Sequence, residues 1–470
     1  MITVFPLRFR RLPDRSLIFA NEAGQFFKSD DAFLNRLSDQ NLTQSDNRFL
    51  SDRAMSSARQ GDLNETAFLH RLAGRMRTPS ELSYLILVPT LRCDLACSYC
   101  QVSRAALNAK GFDWSKETLS QVLAYIDASQ SDKMQIEFQG GEPTLRLDLM
   151  KSVMEFCRAK FKTCRFIVCT NLSDISPEFL EIVSHEDVFV SSSMDGSPET
   201  HKSQRTNTDD LTSRFFTNFE ALAEKIGGRL SALPTLDSKN LPAPSNFLDA
   251  FDRYNMRSIY LRPIVYHGFA RKQHSESRNY QNDWQKFYEA CVFEMIERNF
   301  HGIGSIYEEY YLTLALKRLL RSGEDNHIDL RTPNWLGYDH QLIDYDGQIY
   351  PSDEARMIAR TGQADLSIGT VFAGIDYQKR NELQARAFNA LDPWCSQCPY
   401  QAACGSDPID DLARHGRTDV PKPATVFCQK HLHIFDFAMS LIFSKDSKVQ
   451  HSLASWLDLP TSTDLGEVLS

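Results

Sequence analysis

The stretch Cys93-Asp94-Leu95-Ala96-Cys97-Ser98-Tyr99-Cys100 constrains this chain more than any other. Three cysteines at spacing C-x3-C-x2-C stand just behind the apolar run Tyr84-Leu85-Ile86-Leu87-Val88. A strand carries the chain to a loop, and the loop gathers three thiols. Three soft thiolates on one loop suit an iron–sulfur cluster. A [4Fe–4S] cube has four irons, so three protein ligands leave one iron open to bind and reduce a small molecule. A zinc ion and unligated core thiols are the alternatives. Zinc usually takes four tight ligands, and no fourth cysteine or histidine lies near in sequence.

At 470 residues the chain predicts two or three domains. Its 42% hydrophobic and 24% charged residues describe a soluble globular protein. A formal net charge of −9 argues against nonspecific nucleic-acid binding. The N-terminus lacks the basic-then-apolar order of a signal peptide. No apolar run reaches the roughly 18 residues of a membrane span. Eleven cysteines without a secretion signal predict metal binding rather than disulfides, and a reducing cytoplasm.

Residues 1–80 predict a small N-terminal α+β domain. Its short strands are Arg8-Phe9-Arg10, Leu17-Ile18-Phe19 and Gln25-Phe26-Phe27, with a turn at Asn21-Glu22-Ala23-Gly24. A helix capped by Ser29 holds Phe33, Leu34 and Leu37, and a second from Asn64 buries Phe68, Leu69 and Leu72. Residues 81–300 form the core. Strand one runs into the cysteine loop, and Ser115 caps a helix with Leu119, Val122, Leu123 and Ile126 at i, i+3, i+4, i+7. The following strands are Met134–Gln139, Arg165–Cys169, Val188–Ser192, Leu230–Leu233 and Ser258–Leu261, each separated from the next by a helix. Six βα units imply a parallel sheet with right-handed crossovers, as an open Rossmann sheet or a partial barrel. Cys157, Cys164, Cys169 and Cys291 read as core residues.

Residues 282–322 read as two amphipathic helices, the first striped with Trp284, Phe287, Tyr288, Cys291, Val292 and Met295. Residues 301–340 are assigned as a helical linker. In residues 341–435, Gln341–Tyr345 and Gln348–Tyr350 flank Asp346-Gly347, a hairpin turn signal. Cys395, Cys398, Cys404 and Cys428 follow. Residues 436–470 form a helix around Phe437, Met439, Leu441 and Ile442 with a polar tail.

The cysteine loop, with an aromatic before its third cysteine, and Gly140-Gly141-Glu142-Pro143 at the end of strand two resemble the radical S-adenosylmethionine (SAM) enzymes. The resemblance spans about residues 84–435 and implies a partial (β/α)6 TIM barrel with its site at the carboxyl ends of the strands. It implies that Cys93, Cys97 and Cys100 hold a [4Fe–4S] cluster whose open iron binds SAM. An electron then splits SAM into methionine and a 5′-deoxyadenosyl radical, which abstracts hydrogen from substrate. By the same resemblance Gly140, Gly141, Glu142 and Pro143 hold the SAM amino group, and Tyr99 offers backbone to adenine. Asn171 and Ser193 lie near ribose and carboxylate, or instead cap the turns that follow. Ser193-Met194-Asp195-Gly196 with His201 and Arg205 resembles a segment of the peptide-modifying branch; a salt-bridged structural loop is the alternative, and neither His201 nor Arg205 is assigned a catalytic role.

Cys395-x2-Cys398-x5-Cys404 resembles the SPASM extension. Pro408 and Ser352 stand where further cysteines are expected, so the resemblance implies one auxiliary [4Fe–4S] cluster on Cys395, Cys398, Cys404 and Cys428, with structural zinc as the alternative. The whole resembles a SPASM/twitch-type peptide maturase. Val88-Pro89-Thr90-Leu91-Arg92, Gln101-Val102-Ser103-Arg104 and the reduced cysteine set make it most like the maturase of His-Xaa-Ser repeat peptide systems. The implied partners are a ribosomally made peptide or protein, such as a His-Xaa-Ser repeat peptide, and an electron donor such as flavodoxin or ferredoxin. The N-terminal domain resembles small winged domains that capture leader peptides as an added strand. An anaerobic sulfatase-type maturase forming formylglycine and a non-catalytic metal-stabilised binding module are the rival readings. Asp353, after Tyr350-Pro351-Ser352, is the candidate proton acceptor, since an aspartate beside the corresponding cysteine serves as base in sulfatase maturases. Gln139 is placed to touch substrate at the barrel mouth.

Overall fold

The computed structural model describes residues 1–470 except 1, 80, 257, 275–280, 303–305, 322–330, 461–462 and 467–470. Parts of the assigned linker and of the terminal tail therefore lie outside the described residues. The central element is a nine-stranded sheet. Its order is Leu230–Ala232, Val188–Ser192, Thr163–Thr170, Lys133–Phe138, Tyr84–Leu87, His340–Ile343, Gln348–Tyr350, Gly369–Thr370 and Gly374–Ile375. The first six strands are mutually parallel, as helical crossovers require. Beyond Ala232 the curve continues in short parallel pairs, Thr235–Leu236 with Arg262–Pro263 and Ser258–Ile259 with Glu308–Glu309. The sheet and these pairs curve as the partial barrel that the sequence resemblance implies. Its strands alternate: Met134, Ile136 and Phe138 enter the core under the helices, with Phe166 and Val168 beside them.

The crossover helices begin where their caps stand. The Ser115 hydroxyl accepts from the Thr118 amide at 3.0 Å, and Ser176 opens Pro177–Ser184 with Pro177 in the first turn. Cys157 and Cys291 are fully buried in this core, as their helical spacing predicts. The Asp346-Gly347 hairpin forms, but it is not separate from the barrel. Its first strand pairs in parallel with Tyr84–Leu87, so the sheet runs across the assigned boundary at 341. Without it, strand one would present an unpaired edge.

The N-terminal unit has a three-stranded antiparallel sheet, Leu7–Arg11, Leu17–Asn21 and Phe26–Ser29, with its own core of Leu17, Phe19, Phe27, Phe33, Leu50 and Met55. Asp30 rather than Ser29 caps the helix Asp31–Ser38, because Ser29 still belongs to the strand. A helix that the apolar pattern does not mark, Gln44–Asp52, is nucleated by a Thr43/Asp46 capping box. The helix Leu63–Arg75 buries Phe68 but leaves Leu69 exposed. At the other end, the helix expected around Phe437 begins at Val426 and carries Cys428 in its first turn; Ser447–Trp456 follows it. Among the described residues no helix is long and apolar enough to cross a membrane.

Candidate active site

The cysteine loop leaves strand one and is braced on every side. Arg92 holds Asp113 through two bonds of 2.8 Å. The Ser98 amide donates to the Gln204 carbonyl at 3.1 Å, and the Phe269 amide donates to the Cys100 carbonyl at 2.9 Å. Cys93 is buried; Cys97 and Cys100 are half-buried. Burial pushes the Cys93 and Cys97 thiols up. Neighbouring charge adds to this, from Glu142 and Cys97 at Cys93 and from Cys100 at Cys97. The three thiols thus share one site, and a cation or cluster there is what would hold them as thiolates.

The end of strand two abuts this loop. A Cβ on Gly141 would lie 2.2 Å from the Arg92 carbonyl oxygen, and one on Gly140, at φ +133°, 2.2 Å from that of Thr90. The paired glycines therefore allow close approach to the cysteine lead-in itself, and the Glu142 amide donates to the Arg92 carbonyl at 2.8 Å. The Glu142 carboxylate is buried and already occupied. Its Oε1 accepts from Thr144 Oγ1 at 2.7 Å and its Oε2 from the Asn171 amide at 2.8 Å. Burial raises it to about 7. What this segment leaves for an amino group is backbone carbonyl rather than the carboxylate. Pro143 is buried and opens the turn after Glu142. Asn171 reaches the loop from strand three, its Nδ2 donating to Asp94 Oδ1 at 2.8 Å and lying 3.8 Å from Cys93 Sγ. Ser193, half-buried at the end of strand four, donates its amide to the Thr170 carbonyl at 3.2 Å.

Tyr99 points into a buried network. Its hydroxyl lies 2.6 and 2.9 Å from the two Asp195 oxygens, which also accept from Arg205 Nε at 2.9 Å, Gln204 Nε2 at 3.0 Å and the Thr235 amide at 3.1 Å. The Arg205 guanidinium lies 5.0 Å from the Tyr99 ring centroid. The Ser193–Arg205 segment is thus a salt-bridged clamp on the loop. His201 stacks on Phe215 at 4.0 Å, and neither ring nitrogen has a partner among the described residues. Burial pushes it down to about 4.

Sequence reasoning missed part of the barrel lumen. Gln139 Nε2 donates to Glu137 Oε1 at 2.6 Å, and the Tyr84 hydroxyl donates to Glu137 Oε2. Cys169 is not core: its sulfur donates to Glu137 Oε1 at 3.2 Å, and burial beside that carboxylate drives its thiol up. The signal was the alternation itself, since Phe166 and Val168 take the core face and Cys169 has the opposite parity. Asp353 is the first residue of the helix Asp353–Arg360, which Ser352 caps by accepting from the Ala355 amide at 3.3 Å. Its charge is felt by His267, a buried imidazole that also faces Asp410 and Arg414 and is pushed down to about 4 by burial. Asp353 and Gln139 are not hydrogen-bonded to each other in any contact among the described residues.

The second cysteine group also converges. The Cys404 thiol is pushed up by burial and then by Cys398, Cys395 and Cys428 in turn. Burial raises Cys395 to about 12 and Cys428 to about 11. The Cys395 amide is held by Asp392 at 2.9 Å, and the Cys428 amide by the Thr425 hydroxyl at 3.2 Å. A small cavity lined by Tyr311, Arg318, Gly405, His431 and Phe435 abuts Cys404. Four converging thiols fit a fully ligated iron–sulfur cluster, whereas a structural zinc would need them drawn closer together. Among the described residues no three His, Cys, Asp or Glu side chains lie as close as a single ion demands; ligands of a four-iron cube stand farther apart, so this bears on neither cluster.

Residues 87–237 match the family model of the Radical SAM superfamily. The chain carries a Radical SAM domain, in a family that uses a [4Fe–4S] cluster and SAM. Among curated relatives, an uncharacterized protein of Methanocaldococcus jannaschii is 23% identical over 185 residues, 38% of this chain and 61% of that protein. A serine-type anaerobic sulfatase-maturating enzyme of Bacteroides thetaiotaomicron is 28% identical over 183 residues, 37% of this chain and 44% of that enzyme. The match thus spans 61% of the first relative's length. Among solved structures, native anSMEcpe with bound AdoMet superposes with a TM-score of 0.59 at 19% identity, covering 76% of this chain and 97% of that one. Streptococcus suis SuiB bound to precursor peptide SuiA gives a TM-score of 0.51 at 14% identity, covering 91% and 100%. The fold is that of the SPASM-type radical SAM maturases.

Proposed function

We propose that this chain is a radical SAM maturase that modifies a ribosomally made peptide or protein. The observation that carries the reading is the three-thiol loop, clamped by the ends of strands two to four, over a lumen lined with Glu137, Gln139 and Cys169. When bound, the cluster and SAM supply a 5′-deoxyadenosyl radical that takes hydrogen from substrate. The protein's own part is to fix geometry. The Gly140–Pro143 backbone receives the SAM amino group, Asn171 and Ser193 flank the ribose and carboxylate, and the Tyr99–Asp195–Arg205 network keeps the loop from moving. Cys395, Cys398, Cys404 and Cys428 hold the auxiliary cluster. The peptides bound by SuiB and anSMEcpe support a peptide substrate here, and the N-terminal sheet is the candidate leader-binding edge. The reduced cysteine set supports a His-Xaa-Ser repeat peptide as that substrate, and the family resemblance implies a flavodoxin- or ferredoxin-type electron donor.

To finish an oxidation the substrate radical must give up one electron, which the auxiliary cluster would accept when bound, and one proton, for which Asp353 is the acceptor in this reading. Asp353→Asn keeps the size and removes the base. It should leave iron content and 5′-deoxyadenosine formation intact and cut modified product by roughly a hundredfold. Mass spectrometry of a neighbouring small peptide co-expressed with the protein tests the whole reading; an unmodified peptide beside active SAM cleavage rejects it. The similarity to a serine-type sulfatase-maturating enzyme and the placement of Asp353 favour formylglycine formation as the second reading. A serine- or cysteine-bearing sulfatase peptide as substrate in the same assay separates the two.

A further inference from the structure

We propose that Arg8 and Arg10 of the N-terminal domain belong to the auxiliary site and set the charge, and hence the reduction potential, of the cluster held by Cys395, Cys398, Cys404 and Cys428. The domain grips the loop between two of these ligands. Arg8 Nη1 donates to Gln401 Oε1 at 3.1 Å, and Arg75 donates to the carbonyls of Ala402 and Glu22. Arg10 makes a bidentate pair with Asp436, Nε to Oδ1 at 2.7 Å and Nη2 to Oδ2 at 2.8 Å. The Tyr400 hydroxyl donates to the same Asp436 at 2.8 Å, and the Cys404 amide donates to the Tyr400 carbonyl at 2.8 Å. A Cβ on Gly24, in the turn of the N-terminal sheet, would lie 3.3 Å from Ala402 Cβ, so the Ala402 methyl sits close over the Gly24 backbone. Phe26 packs edge-on against Phe443 and Lys28 lies over the same ring.

The charges reach the sulfurs. Arg10 and Arg8 both act on Cys398 and Arg10 acts on Cys428, while Asp436 acts on Cys398 with the opposite sign. Glu22, the partner of Arg8 at 2.9 Å, is half-buried with 44% of its side chain accessible, so solvent screens its opposing charge in part. A [4Fe–4S] cluster with four thiolates is an anion, and uptake of one electron, with no proton, makes it more so. Nearby cations stabilise the reduced form and raise the potential. Leu7–Arg11 is also the outer strand of its sheet, so a strand added there would lie beside the residues that set this charge.

The inference rests on the iron–sulfur reading of the second site, and the test separates the two. Full-length protein carrying Cys93→Ala, Cys97→Ala and Cys100→Ala is reconstituted anaerobically and titrated potentiometrically with EPR detection, so that only the auxiliary cluster reports. Arg8→Gln and Arg10→Gln should each move the midpoint to more negative potential, Arg10→Lys should leave it near the parent value, and Asp436→Asn should move it positive. A purely structural role predicts equal potentials in all loaded variants, and that result overturns the proposal. So does an Arg10→Lys shift equal to that of Arg10→Gln. Should Arg10→Gln fail to load, Arg8→Gln, which leaves the Arg10–Asp436 pair in place, decides by the same sign. A parent protein that binds no iron overturns the cluster reading and this inference with it.

Discussion

The cysteines at 93, 97 and 100 come from eight consecutive residues, whereas those of the second site come from Cys395–Cys404 and, beyond the helix Pro408–His415, the first turn of the helix at Cys428. The first loop is held by strand ends of one parallel sheet, through Glu142, Asn171 and Asp195. The second is held by a different domain, through Arg8, Arg10 and Arg75. Burial raises the thiols at both, and in each an arginine opposes it: Arg205 at Cys97, Arg10 and Arg8 at Cys398. The difference teaches that a site built inside one repeated βα scaffold carries its supports at predictable places, the carboxyl ends of strands. A site assembled between domains draws its supports from anywhere in the chain.

That contrast can be broken at its first half most sharply with Gly141→Ala. The added Cβ meets the Arg92 and Leu91 carbonyls at 2.2 and 2.4 Å, backbone that cannot swing aside. SAM cleavage should fall below detection and cluster content should drop, while the auxiliary cluster persists; wild-type 5′-deoxyadenosine formation would show that the loop needs no such brace. The next effect is smaller. Asp195→Asn leaves Arg205 buried without its anion and should destabilise the barrel by about 3–5 kcal/mol in denaturant unfolding. A change under about 1 kcal/mol, the range of a surface pair, would mean the network is not a clamp.

His201→Phe sharpens the comparison from the other side, by improving the first site's support. The ring stacks on Phe215 with no partner for either nitrogen among the described residues, so the swap should stabilise by about 1–3 kcal/mol. The folded-state pKa, pushed down to about 4 from 6.5, means the unfolded chain binds the proton first. Wild-type stability from this group is therefore present above pH 6.5 and lost as pH falls toward 4, so the advantage of His201→Phe should widen across that window. A constant difference between neutral pH and the lower end of that window would place the histidine in water.

The barrel strands and their caps were legible because apolar alternation, Ser115 and Ser176-Pro177 are local signals that the packing respects. Cys93, Cys97 and Cys100, and Cys395, Cys398 and Cys404, stand out in the sequence by spacing alone, whereas Cys428 does not. Cys169 was misread although the alternation sets it on the face opposite Phe166 and Val168; that it shares a face with Glu137 appears only once Ile167 is paired between Glu137 and Phe189. The partners of the Glu142 carboxylate were legible only in part: Thr144 lies two residues on, whereas the Asn171 amide is brought to it by the fold. The grip of Arg8 and Arg10 on the second site spans 393 and 426 residues of sequence, beyond any local pattern.

The central claim is that one chain holds two distinct clusters, of which only the first cleaves SAM. Iron counting paired with a 5′-deoxyadenosine assay tests it most directly. Anaerobically purified protein should carry about eight irons by the arithmetic of two four-iron cubes. Cys93→Ala/Cys97→Ala/Cys100→Ala should retain about four and make no 5′-deoxyadenosine, whereas Cys395→Ala/Cys398→Ala should retain about four and still make it. Wild-type iron near four with zinc in the remainder, or SAM cleavage surviving loss of the first three cysteines, would contradict the account.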